Sequence, residues 1–188
     1  MSAMRTDECL AALARHRTDE VVIASMTSAV CWPAYSDHPR DLIYVPSTMG
    51  GAPSLGLGLA LARPDLRVVV LNGDGSMLMN LGSLVTIGEQ APPNLLLAVF
   101  ANGMYAVTGG QPTPGAGQVD FAQMARAARW PIAHRFARLE EWETVLPELL
   151  GAEGPAFVEL TVEPEPTSIP QPPVPMSERL ATLLAALD

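Results

Sequence analysis

The sequence has no lysine, and all 11 of its basic residues are arginine. A Schiff-base lysine, a pyridoxal-phosphate anchor and a P-loop lysine are therefore excluded in this chain. Charge of either sign is scarce. Ionisable Asp, Glu, Lys and Arg make up 16% of the 188 residues, while 48% are apolar; an average soluble domain carries roughly 25% charged residues. A domain of this size has much surface for its volume, so this shortage implies that other chains cover part of it, and an obligate subunit is expected. The only cysteines, Cys9 and Cys31, are too few and too far apart for an iron–sulfur centre or a structural zinc, and read as reduced thiols of a cytoplasmic protein. No apolar run reaches the ~18 residues of a membrane span, and no signal-peptide-like apolar stretch opens the chain. Residues 1–138 carry ten acids and ten arginines, so the net charge of −9 falls on the last fifty, where ten acids face Arg179 alone. Without a basic footprint, nucleic-acid binding is excluded.

Short β-branched runs alternate with helical stretches. Strands are expected at Val21–Ser25, Leu42–Val45, Arg67–Asn72, Leu95–Ala101, His134–Ala137 and Ala156–Val162. The runs Val68–Leu71 and Leu95–Phe100 are continuously apolar, as in parallel strands buried on both faces. Helices fit at about 6–16, 53–62, 76–89, 120–129, 139–150 and 177–187, with Pro147 expected to kink or split the fifth. This alternation predicts an α/β fold: a doubly wound, mainly parallel six-stranded sheet with helices on both faces. The domain is expected to end near residue 163, followed by a Pro-rich extended linker and a short C-terminal helix over 164–188. Residues 102–119, with five glycines, are too long for a plain connection and read as a functional loop.

The strongest local signal is Leu71-Asn72-Gly73-Asp74-Gly75-Ser76, which joins a buried strand to a helix. Ligands of open α/β sheets bind at the carboxyl ends of strands, and glycines before a helix start expose N–H groups to an anion. Asp74 would repel a phosphate there. The conflict disappears if a divalent cation bridges carboxylate and phosphate, as Mg²⁺ does with hard oxygen ligands. A second ligand should then come from the adjacent strand end. Asn102-Gly103 follows Leu95–Ala101, and the 26 residues between Gly75 and Asn102 leave room for one crossover helix and one strand. Either half alone is a common turn sequence; the combination after two buried strands is far more specific.

The run from Asp74 to Asn102 resembles the thiamin-diphosphate signature, Gly-Asp-Gly, about two dozen residues, then Asn. The likeness widens to Ser47-Thr48-Met49-Gly50, the helix Leu55–Ala62, Gly73–Gly82 and Thr108–Thr113. In these segments the chain is similar to thiamin-diphosphate-dependent decarboxylases, namely the sulfopyruvate decarboxylase β subunit and the C-terminal half of phosphonopyruvate decarboxylase. The resemblance implies that thiamin diphosphate and Mg²⁺ are the cofactors. Asp74, the Asn102 side chain and the Met104 carbonyl would be the metal ligands. The N–H groups of Gly75, Ser76 and Tyr105 would hold the diphosphate, with Ser28, Thr48, Gly73 and Ala106 also in the cofactor site. Met49 would be the wedge that bends the cofactor, the residue assigned a catalytic role, and the Ser47 carbonyl would accept from its 4′-amino group. The loop Thr108–Thr113 would shape the site mouth or touch substrate. Thr27, Met26, Ala101 and Ser47 depart from the family's usual residues, which bears on substrate identity.

The same resemblance implies an incomplete site. A glutamate on a pyrimidine-binding domain must protonate the cofactor's ring, and this chain is already occupied by a diphosphate-binding domain. A pyrimidine-binding α subunit is therefore the expected partner, in a hetero-oligomer such as α2β2 or larger. The implied reaction is decarboxylation of a small 2-oxoacid, 3-sulfopyruvate- or 3-phosphonopyruvate-like, to an aldehyde. A clamp for the second anion should exist, but residues 102–119 contain no Arg or His. A carboligase subunit of the acetolactate-synthase type and a non-catalytic assembly subunit are the alternative readings.

Overall fold

The computed structural model describes residues 4–165 and 174–187. In chain order these form α1 (Thr6–His16), β1 (Val21–Ala24), α2 (Met26–Cys31), β2 (Asp41–Ile43), α3 (Gly51–Ala62), β3 (Val68–Gly73), α4 (Asp74–Leu78), α5 (Gly82–Gln90) and β4 (Leu95–Ala101). Two short strands, β5 (Met104–Tyr105) and β6 (Gln111–Pro112), then pair as an antiparallel hairpin. They are followed by α6 (Phe121–Ala127), β7 (Ile132–Phe136), α7 (Leu139–Gly151), β8 (Ala156–Thr161) and α8 (Met176–Leu187).

The main sheet has six strands in the order β2-β1-β3-β4-β8-β7, every neighbouring pair parallel. The doubly wound α/β sheet read from the sequence is the one observed. The apolar runs explain themselves by alternation. Val68, Val70, Leu95 and Leu97 enter the core beneath α3, α5, α6 and α8, whereas Val69, Leu71, Leu96 and Ala98 enter the opposite core beneath α1 and α7. Chain order reverses between β1 and β3, so a crevice opens at their carboxyl ends, the place where such sheets bind ligands.

Three expectations are corrected. The helix expected over 76–89 is two helices broken at Met79–Leu81, because Asn80 turns its amide to Gly50 O (3.1 Å) and its own carbonyl accepts from Ser83 N (3.1 Å). Helix α2 was not expected; its six residues include Thr27 and Val30, which carry no helical signature. Pro147 does not split α7. It lies on the exposed side of the helix, where water can serve the Glu143 carbonyl that loses its partner.

The acidic last fifty residues are built into the fold. Helix α7 buries Trp142, Leu146 and Leu149, β8 lies between β4 and β7, and the acids Glu140, Glu141 and Glu148 face outward. Helix α8 sets Leu183 and Leu187 into the core, and Arg179 donates to the carbonyls of Ile43 and Val45 at the sheet edge. Part of the Pro-rich segment expected to run extended over 164–175 lies outside the described residues. Burial pushes the Cys9 thiol up to about 12, which keeps it protonated and unreactive.

Candidate cofactor and metal site

A cleft of about 430 Å³ opens at the carboxyl ends of β1, β3 and β4. Asp74, the first residue of α4, lies beneath it with only 4% of its surface exposed. Its Oδ1 accepts from Gly75 N (2.8 Å), and its Oδ2 accepts from Gly103 N (2.8 Å). The second bond ties the turn after β3 to the turn after β4. Asn102 lies in that second turn, its Oδ1 accepting from Met104 N (3.0 Å). Burial raises the Asp74 carboxyl above its ordinary range, opposed by the two N–H bonds. No ion pair among the described residues includes Asp74. The cleft thus holds a desolvated carboxylate with no basic side chain to balance it, beside an amide oxygen.

Met49 forms another wall of the cleft, and its position is set by Gly50. Gly50 N donates to Ser76 Oγ (2.8 Å) and Gly50 O accepts from Asn80 Nδ2 (3.1 Å). Its φ of +82° is left-handed, and a Cβ there would stand 2.6 Å from Asn80 Cβ, so glycine is required twice over. The Ser76 side chain therefore holds the Met49 turn. Gly75 is constrained by space: a Cβ would fall 2.6 Å from the Tyr105 ring.

Ten of the expected cofactor residues share this one cleft. Besides Met49, Asp74, Gly75 and Asn102 they are Ser28, Gly73, Ser76, Met104, Tyr105 and Ala106. Ser47 and Thr48 do not line it; they form the bend before α3, where Thr48 O accepts from Gly51 N (2.9 Å). Thr108–Thr113 does not line it either. Gly75 N, expected to face the diphosphate, donates to Asp74 here. Neither Arg nor His lines the cleft.

Sequence reasoning missed Asn72 and Asn80 and did not foresee the backbone of Met26. Met26 begins α2 with φ +54°, a left-handed conformation that few side chains adopt, placed on the cleft wall. Asn72 is fully buried at the end of β3, also on the wall. Its signal was visible: one polar residue closing an otherwise apolar strand.

The model of the thiamine pyrophosphate enzyme, C-terminal TPP binding domain, matches residues 24–160. The chain belongs to this family. Phosphonopyruvate decarboxylase from Streptomyces viridochromogenes is 38% identical over 146 residues, 77% of this chain and 36% of that one. Sulfopyruvate decarboxylase subunit beta from Methanothermobacter thermautotrophicus is 42% identical over 134 residues, 71% of this chain and 68% of that one. The chain thus spans about a third of the first relative and two thirds of the second. Thiamine diphosphate-dependent 4-hydroxybenzoylformate decarboxylase from Rhodococcus jostii superposes with a TM-score of 0.73 at 19% identity, over 89% of this chain and 34% of that one. This last likeness concerns the fold.

The TPP-binding assignment agrees with the chemistry of the cleft. A diphosphate is a multivalent anion that reaches a carboxylate only through a cation. Asp74 and Asn102 offer the hard oxygens Mg²⁺ prefers. Gly75 lets the Tyr105 ring close against the turn, and Asn72 contributes a buried amide with an unsatisfied donor. The residues present fit the group.

Proposed function

We propose that this chain is the diphosphate- and metal-binding β subunit of a heteromeric, cytoplasmic, thiamin-diphosphate-dependent 2-oxoacid decarboxylase. Its substrate would be 3-sulfopyruvate- or 3-phosphonopyruvate-like, released as an aldehyde after loss of CO₂. The observation that carries this reading is Asp74, buried without a counter-ion and linked through Gly103 N–H to the Asn102 turn. The names of the relatives at 38% and 42% identity support the reaction class.

In this reading Asp74, Asn102 Oδ1 and the Met104 carbonyl hold Mg²⁺, and the N–H groups of Gly75, Ser76 and Tyr105 hold the diphosphate. When bound, the cofactor supplies the sink for the electron pair left behind by CO₂. Met49, held through Gly50 by Ser76 and Asn80, would be the wedge beneath the cofactor, and the Ser47 carbonyl would accept from its amine. Ser28 and Ala106 shape the diphosphate end.

A pyrimidine-binding α subunit would supply the glutamate and the clamp for the substrate's second anion. The partner is supported by a cleft without Arg or His and by exposed apolar side chains, Leu55 and Leu61 on α3 and Val85 on α5. The test is reconstitution with the candidate α subunit, thiamin diphosphate and Mg²⁺ against a panel of 2-oxoacids, reading CO₂ and the organic product. CO₂ with an aldehyde from the sulfonate or phosphonate substrate is expected. A carbon–carbon coupled product would establish the carboligase instead, and an absence of any turnover would leave the scaffold reading standing.

A further inference from the structure

One half of the Asn72 amide has no task among the described residues. It lies near the end of β3, the strand that borders the switch point with β1, and no part of its surface is exposed. Ser25 lies beside it at the end of β1, with its Oγ 3.2 Å from Asn72 Oδ1 and 2.9 Å from Leu71 O. The single hydroxyl proton of Ser25 is shared between these two acceptors, so the oxygen side of the amide has a partner, with Leu71 O the nearer claimant. The nitrogen side, Nδ2, has no hydrogen-bond partner among the described residues, and the residue forms part of the wall of the cleft.

An unpaired buried amide destabilises a fold by roughly the desolvation of its N–H groups, and native structures satisfy such groups unless something else does so. A leucine or valine would complete the apolar run Val68–Leu71 without that penalty. The position of the orphan says what would satisfy it. It stands at the crevice between the ends of β1 and β3, one residue before the Gly73–Ser76 turn, where the ligand is acidic and rich in acceptors. We infer that Asn72 Nδ2 is a hydrogen-bond donor to the diphosphate, supplied from the floor of the cleft and oriented by Ser25. The inference rests on the cofactor reading above and extends it to a residue that contacts the ligand through its side chain rather than through its backbone.

The test uses the full chain, alone and with its α subunit, titrated calorimetrically with thiamin diphosphate and with inorganic diphosphate, each with Mg²⁺, alongside thermal melts of the unliganded protein. Asn72→Ala is expected to bind both ligands about 10- to 100-fold more weakly, the loss of one hydrogen bond to a charged group. Its unliganded melting temperature is expected to hold or rise, because the orphan is gone. Asn72→Asp keeps the shape and the Ser25 contact but turns the donor into a negative acceptor, and its affinity should fall at least about 100-fold. A merely structural asparagine predicts the reverse pattern, a lowered unliganded melting temperature with ligand affinity unchanged, and that result overturns the inference. Wild-type affinity in Asn72→Asp overturns it as well. If the wild type binds neither ligand in either setting, the cofactor reading itself fails, an outcome distinct from equal binding by wild type and variants.

Discussion

Two carboxylates are buried toward the carboxyl ends of the sheet's strands, and the fold treats them differently. Glu159, near the carboxyl end of β8, is 1% exposed; its Oε2 accepts from Ala122 N in the first turn of α6 (3.2 Å) and its Oε1 lies 3.2 Å from Arg135 Nε. Asp74, at the end of β3, is 4% exposed and accepts two backbone N–H bonds, but meets no cation among the described residues. Burial raises both carboxyls above their ordinary range. The difference is the counter-ion. Glu159 finds its own on the neighbouring strand and belongs to the architecture; Asp74 finds none among the described residues, and the proposed metal would supply it.

The largest expected effect separates the two by binding. Asp74→Ala should weaken Mg²⁺-dependent thiamin diphosphate binding by more than about 100-fold, since a cation no longer bridges protein and diphosphate. Chelating the metal should do the same to the wild type. Unliganded stability should stay within about 1 kcal/mol, because the lost N–H bonds are offset by removal of a desolvated charge. Calorimetric titration and chemical denaturation read the two halves. Intact binding by the variant would erase the contrast and, with it, the metal assignment.

Glu159→Ala should show the inverse. Stability should fall by about 2 kcal/mol, from the lost bond to Ala122 N, the lost pairing with Arg135 and the space left behind. Affinity per folded molecule for thiamin diphosphate with Mg²⁺ should be unchanged. If binding falls as steeply as in Asp74→Ala, the second carboxylate also belongs to the site, and the division drawn here is wrong.

This contrast also marks what could be read from the chain alone. The strand runs Val68–Leu71 and Leu95–Phe100 and the pair Asp74 and Asn102 carry their meaning locally, through buried parallel strands that end in turns of recognisable chemistry. The counter-ion of Glu159 does not. Arg135 lies 24 residues away, and the two are brought together only because the β7–β8 register pairs Arg135 with Glu159. Similarly, the break at Met79–Leu81 depends on Asn80 reaching Gly50 from thirty residues away. Ser47 and Thr48, placed in the cofactor site by likeness of sequence, lie in the bend before α3 and not on the wall of this cleft. Periodicity and motif spacing capture what a residue does for its own element; bonds between elements require the packed fold.

The smallest effect is a pH dependence. Glu159→Gln keeps an acceptor for Ala122 N and the side-chain volume while removing the charge. In the folded wild type this carboxyl holds its proton to a higher pH than in the unfolded chain, because burial outweighs the help from Ala122 N–H and Arg135. Between the two pKa values the folded state therefore binds more protons than the unfolded state, and wild-type stability declines as pH rises through that window. Below the unfolded value both states are protonated and this contribution is fully present; above the folded value it has been lost. Denaturation midpoints of wild type and Glu159→Gln should consequently diverge in the variant's favour as pH climbs through the window, and then run parallel. Asp74→Asn cannot replace this control, since it disturbs the ligand site. A difference that instead grows in the wild type's favour would mean that Arg135 outweighs burial at Glu159. The pair would then stabilise the fold through its charge, and the contrast with Asp74 would be sharper still.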